Sequence, residues 1–346
     1  MAGDSTPADT MRERAGTNRL KLWFFVDAGR LSVAVLVLVT VFLSLVAVAA
    51  AVPGAAASLA SGDPVETAFQ AFVGATITGV TLVLTLNQLV LSQELGAVGD
   101  QRERMEGAMQ FRRDVEGLLE SPISPPEPAA FLRALVDRVS DRAGALEASV
   151  DGGDGELHRT VATLCSDIEE NAASVTDQLA SAQFGTFDVV SAALNFNYSW
   201  KIYSARRLRA EYGDRLSEEQ RDRLDSLVET LELFGPAREH FKTLYVQWEL
   251  VDLSRTMLAA SLPAIATATL VLLYFDAAAL SARVFGVPAS VLVVSAAVTV
   301  SLSPFVVLLS YVLRIATVTK RTLSIGSFTL RRTNGRDEID WARDDE

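Results

Sequence analysis

The chain has 346 residues, a formal net charge of −12, 49% apolar side chains and a mean hydropathy of +0.25. That apolar content is high for a soluble domain and low for a chain lying wholly in lipid, so membrane segments joined to a water-exposed region are expected. The charge excess is local: between Glu94 and Asp252 stand 30 acidic and 17 basic side chains. Nucleic-acid binding needs a basic surface, so a nucleic-acid partner is excluded as an expectation. The single cysteine, Cys165, excludes an internal disulfide.

Residues 1–30 form a polar N-terminal segment carrying Arg12, Arg14, Arg19, Lys21 and Arg30. Four charge-free apolar runs follow, each long enough to cross a hydrocarbon core of about 30 Å at 1.5 Å per helical residue. They cover about 31–52, 67–91, 256–275 and 288–313, the last within the apolar stretch from Val284 to Leu313. Small residues at Ala49, Ala51 and Ala55–Ala57 resemble a signal-peptide cleavage site. The first run is nevertheless longer than a signal-peptide core and follows some 30 polar residues, so an uncleaved span is expected.

Lys and Arg near the span ends set orientation. Besides the N-terminal group there are Arg102, Arg104, Arg112 and Arg113 after the second span. Arg238, Lys242 and Arg255 precede the third, and Arg314, Lys320 and Arg321 follow the fourth. The loop 53–66 has no basic residue and the loop 276–287 only Arg283. Both termini and the middle of the chain are therefore expected in the cytoplasm. Trp23, Phe24, Phe25, Tyr245, Trp248 and Tyr311 fit as interfacial anchors. The domain plan is a hairpin of two spans (31–93), a cytoplasmic helical domain (94–254), a second hairpin (255–314) and a cytoplasmic tail (315–346).

The middle region reads as helical throughout, with no strand alternation and no repeat. The second span is expected to run on as a helix toward Leu119 until the prolines of 121–128 break it. Helices are expected over 129–150, with Phe131, Leu132, Leu135, Val139 and Leu146 on one side, and over 157–183. A loop covers 151–155. A further helix spans 187–212, closed by Gly213 as a C-cap. Ser217 with Gln220 opens the next as a capping box, and Gly235-Pro236 starts a last one leading to the third span.

The most informative pattern lies in the second span. Ala71, Gly74, Thr78, Thr81, Thr85, Gln88 and Ser92 follow at spacings of three and four and so share one helical stripe; Thr76 and Asn87 lie off it. Two readings stand. Small and hydroxylated residues let helices approach and hydrogen-bond across a contact, or the same groups line an aqueous path in an oligomer. Ser295, Thr299 and Ser303 repeat the theme in the fourth span, where Pro304 is a candidate kink.

No Asp, Glu, Lys, Arg or His sits in the middle of a span, which argues against a proton-coupled transporter. Glu94, Asp252, Arg255 and Asp276 fall at span ends, where solvation is the default. His158 and His240 are far apart in sequence, no Cys/His cluster has metal-ligand spacing, and no phosphate-binding or nucleophile-elbow motif occurs. Neither catalysis nor a cofactor is expected. Cys165 is expected to be a buried structural thiol. Arg206, Arg207 and Arg209 form a basic knot that suits a helix C-terminus, with contact to lipid or a partner as the alternative.

The segments "TITGVTLVLTLNQLVLSQELGAVGDQRERM" and "YGDRLSEEQRDRLDSLVETLELFGPAREHFKTLYVQWELVDLSR" resemble those of an uncharacterised group of haloarchaeal membrane proteins. The resemblance implies no activity and no catalytic residues. It agrees with a Lys-poor acidic surface, Lys occurring only at 21, 201, 242 and 320. The layout alone is similar to that of bestrophins, pentameric anion channels whose second helix lines the pore. Their Arg-Asn-Ser-type motif and neck aromatics are missing, and Leu86-Asn87-Gln88-Leu89 stands instead. The function expected is a non-enzymatic multi-pass protein of the cell membrane. It would associate with itself through the second span and use the cytoplasmic helices for signal or partner contacts; an oligomeric ion channel is the alternative.

Overall fold

The computed structural model describes residues 28–321 apart from 53, 61–62, 151–154, 184–186 and 281. The basic residues at 12, 14, 19 and 21, the aromatics at 23–25 and most of the 151–155 loop lie outside the described residues. The described chain is almost entirely helical and divides into two compact units, one built on Gly96–Val246 and the other on residues up to Leu95 together with Gln247–Val318.

Four helices are long and apolar enough to cross a membrane. The first, α1 (Arg30–Ala51), ends where Val52 turns extended (φ −90°, ψ 114°), as a residue before proline prefers. A short α2 (Ala55–Ala60) leads to α3 (Asp63–Glu94). Asp63 and Glu66 complement the dipole of its first turn, and Pro64 sits where a helix has no use for an N–H. The expected continuation of α3 to Leu119 is corrected. Leu95-Gly96-Ala97 interrupts it, with Ala97 extended (φ −62°, ψ 155°), and α4 (Val98–Leu119) starts afresh. Gly96, a weak helix former, makes this the cheap place to break.

A 57-residue helix, numbered α9 in chain order, spans Glu218–Tyr274 and runs through Gly235-Pro236 without interruption. The expected helix start there is overturned. Gly235 serves a close approach instead, since a Cβ would lie 2.9 Å from the Tyr198 ring. After α9 the chain forms a small ribbon, β1 (Arg283–Val284) antiparallel to β2 (Val287–Pro288). Phe285 and Gly286 both have positive φ, 51° and 82°, as a type I′ hairpin turn requires. Strands of two residues are too short for alternation to show in sequence. They also push the start of the fourth span, α10 (Ala289–Arg321), past Val284. Pro304 lies inside α10, where it leaves the Val300 carbonyl without its usual amide; the Ser303 hydroxyl donates to that oxygen at 2.7 Å.

The span-containing unit has two apolar clusters. Ala34 of α1, Val83 of α3, Leu253 and Met257 of α9, and Val306, Val307 and Tyr311 of α10 form one. Val65 and Phe69 of α3, Ala268 of α9, and Val294 and Ala297 of α10 form the other. Early residues of α1 thus meet late residues of α3 and α10.

The other unit comprises α4, α5 (Pro128–Val150), α6 (Gly155–Ser181), α7 (Phe187–Leu194), α8 (Tyr198–Tyr212) and the first part of α9. The expected face of α5 is buried: Phe131, Leu132, Leu135, Val139 and Leu146 enter one core with Leu164 and Ile168 of α6 and Leu224, Leu227, Leu231 and Phe234 of α9. Burying a leucine fully is worth roughly 2 kcal/mol, several times its helix propensity, so packing holds these helices in place. The expected single helix over 187–212 is corrected to α7 and α8. Asn195 between them donates to Gln178 Oε1 (2.8 Å), and its carbonyl accepts from Asn171 Nδ2 (3.0 Å). Gly213 is the C-cap of α8 as expected, in the right-handed region (φ −55°, ψ −35°); a Cβ there would meet the Arg209 carbonyl at 2.6 Å. The capping box forms as expected: Ser217 N–H donates to Gln220 Oε1 (2.9 Å) and Gln220 N–H to Ser217 Oγ (3.2 Å).

Candidate functional site

The stripe on α3 is presented outward along its length. Ala71, Gly74, Thr78, Thr81, Thr85, Gln88 and Ser92 are all exposed, and a Cβ on Gly74 would meet nothing within 4 Å. The opposite face packs inside the chain, with Phe69, Thr76, Gly79 and Val83 buried and Asn87 half-buried. Thr76 and Asn87, which break the stripe in sequence, therefore belong to the inward face. The glycine that lets helices approach within the chain is Gly79, which the spacing argument passes over: a Cβ there would lie 3.1 Å from Met257 Cε and 3.5 Å from Phe305 Cε1. In α10, by contrast, Ser295 is buried and Thr299 and Ser303 half-buried.

The hydroxyls of the stripe are satisfied by their own helix. Thr78 donates to the Gly74 carbonyl, Thr81 to Ile77, each at 2.9 Å, Thr85 to Thr81 at 2.9 Å and Ser92 to Leu89 at 2.7 Å. What α3 offers a neighbour is then a shallow surface of methyl groups, one bare Cα and outward oxygen lone pairs. None of these four hydroxyls pays a desolvation cost for an unmade donor bond when another helix covers it.

A second feature was not legible from sequence. Arg30, the first residue of α1, forms an ion pair with Glu249 of α9, and its guanidinium lies 5.5 Å from the Tyr311 ring centroid. The Tyr311 hydroxyl is 3.3 Å from Thr256 Oγ1, and Arg314 Nη2 donates to the Ala28 carbonyl at 3.0 Å. Glu249 and Arg314 are buried, with Glu249 Oε2 lacking a hydrogen-bond partner. Arg30 and Arg314 read in sequence as orientation signals at span ends. The structure half-buries Arg30 and buries Arg314 in a charged cluster joining α1, α9 and α10. Asp252, Arg255 and Asp276, by contrast, are exposed as expected.

In the Gly96–Val246 unit the arginine knot is largely engaged: Arg207 pairs with Glu211 (2.6 Å), which raises its pKa through that hydrogen bond, and Arg209 pairs with Asp225 (3.2 Å), while Arg206 is exposed. Two cations are buried over rings, Lys201 above Phe196 (5.5 Å) and paired with Asp167 (3.2 Å), and Arg238 above Tyr198 (4.7 Å). Cys165 is buried, and burial pushes its thiol up to about 12, so it is no nucleophile at neutral pH. Among the described residues no three His, Cys, Asp or Glu side chains stand together as metal ligands.

The chain belongs to a family of unknown function, DUF7972, whose family model matches residues 1–343. No curated protein and no solved structure matches it.

Proposed function

We propose that this chain is a non-enzymatic, multi-pass protein of the cell membrane that associates with its own copies through the outward stripe of α3. Its termini and the bundle of α4–α8 with the first part of α9 lie in the cytoplasm, where the bundle makes signal or partner contacts. The observation that carries the reading is that Gly74, Thr78, Thr81, Thr85, Gln88 and Ser92 are all exposed on a helix whose opposite face is packed. In lipid, apolar burial gives helices no reason to associate. Close approach at small residues and polar contacts do. The distribution of Lys and Arg supports the cytoplasmic placement of termini and bundle, in a layout of two span hairpins around it.

The alternative is an oligomeric ion channel with the same stripe facing a pore. The outward lone pairs of four back-bonded hydroxyls and the Gln88 amide favour it, because such oxygens can partly replace the water around an ion. A pore needs at least three copies around a central α3; a dimer has no conduit.

Light scattering of the full chain in mild detergent tests the reading. The parent is expected to be oligomeric and the combined Gly74→Leu, Thr78→Leu, Thr81→Leu chain monomeric with unchanged helicity. A monomeric parent, or a variant with the parent's mass, overturns it. Ion flux into liposomes abolished by the same changes would select the channel.

A further inference from the structure

Each residue from Leu95 to Gln110 is exposed, so the first turns of α4 have no packed side until Phe111 and Val115 reach the bundle. A helix of roughly a dozen residues is marginal in water without packing. This stretch carries an apolar line at spacings of four, three and four: Val98 (87% exposed), the stem of Arg102, Met105 (62%) and Met109 (40%). That is the seam spacing of helices that pair along their length. The Arg102 guanidinium is drawn aside by Glu106 at 2.7 Å, leaving its methylenes on the line.

We propose that this line packs against the same line of a second copy. The inference rests on the self-association of α3 and extends that interface past the membrane. Leu95, Gly96 and Ala97 reach at most about 11 Å. Two α3 helices in contact lie 8–10 Å apart, so the two α4 starts are held within about 30 Å of one another. Charge selects the same occupant. Asp100, Glu103 and Glu106 alternate with Arg102 and Arg104, a pattern of both signs that a second copy can complement. An anionic lipid surface would meet an acidic excess of one, and a strongly charged protein partner of either sign would gain little net attraction from near-balanced charges.

Disulfide trapping of the full chain in membranes tests this, with Met105→Cys in a Cys165→Ser background and copper-phenanthroline as oxidant. Gly107→Cys, on the far side of α4, is the reference; light scattering gives the mass. If Cys165→Ser does not accumulate, the pair is read with the buried Cys165 in place. Met105→Cys is expected to give at least about ten times more covalent dimer than Gly107→Cys. Equal trapping at the two sites signifies collision and overturns the proposal. No trapping in a chain of oligomeric mass also overturns it, and leaves α3 association standing. No trapping in a chain of monomeric mass overturns both.

Discussion

Glu249→Leu is expected to destabilise the protein out of proportion to the lost carboxylate, because it removes the carboxylate paired with the largely buried Arg30. The two side chains keep only 18% and 8% of their exposure, so the pair is largely withdrawn from water. Removing one partner of a buried pair costs roughly 3–5 kcal/mol. Arg30 retains the Tyr311 ring and some solvent, which places the cost near the low end, about 3 kcal/mol. At roughly 2–4 °C per kcal/mol for a chain of more than 150 residues, the Tm should fall by about 6–12 °C. Arg30→Leu should cost at least as much, since Glu249 Oε2 already lacks a partner. The double variant, Arg30→Leu with Glu249→Leu, replaces both charges by apolar groups and should recover most of the loss, because the desolvation penalty goes with the charges. The assay is a double-mutant cycle of thermal unfolding followed by circular dichroism in detergent, and a coupling of about 2 kcal/mol or more is expected. Additive single effects, or a Glu249→Leu chain that melts with the parent, would refute the counterion argument.

Gly79→Leu should disturb folding by about 1–3 kcal/mol through overpacking against Met257 and Phe305. Gly74→Leu should leave the Tm unchanged and lower the particle mass; parallel melting and light scattering separate the two. The Cys165 thiol should resist a thiol reagent at pH 8 in the folded chain and react fully in denaturant, so prompt labelling of folded protein would contradict its burial. Glu116 accepts hydrogen bonds from the Ser124 N–H and hydroxyl, each at 2.9 Å, and these hold its carboxyl below the ordinary value. A lowered folded pKa means stability that is present above the unfolded value near 4.3 and is lost as pH falls through the folded one. The Tm gap between parent and Glu116→Gln should therefore close below about pH 4; a gap constant from pH 7 to 3 would count against the linkage.

The four span-length helices were legible because a charge-free apolar run of about 20 residues is itself the length that crosses a bilayer. The α5 face and the Ser217–Gln220 box were legible because each is written within a single helix, the face in its helical spacing and the box in one turn. Spacing also assembled the α3 stripe, but periodicity names faces without naming what each face meets. Gly74 and Gly79 look alike in sequence, and only packing shows that Gly79 faces Met257 while Gly74 faces outward. The breaks at 95–97 and 195–197 carry no proline, and Gly235-Pro236 carries one inside a helix that continues. At 195–197 and at Gly235-Pro236 tertiary contacts outweighed the local signal, while at 95–97 only Gly96 marks the break. The Arg30–Glu249 pair joins residues 219 positions apart, beyond any local pattern.

The ribbon between α9 and α10 has a practical corollary. A bulky side chain at positive φ carries strain of order 1 kcal/mol, and Phe285 is wholly exposed, so its ring returns no burial energy to offset that strain. Asparagine or glycine adopts the same backbone with less penalty. Phe285→Asn offers a hardier protein for crystallisation or reconstitution, obtained at a loop tip remote in sequence from both the α3 stripe and the α4 seam.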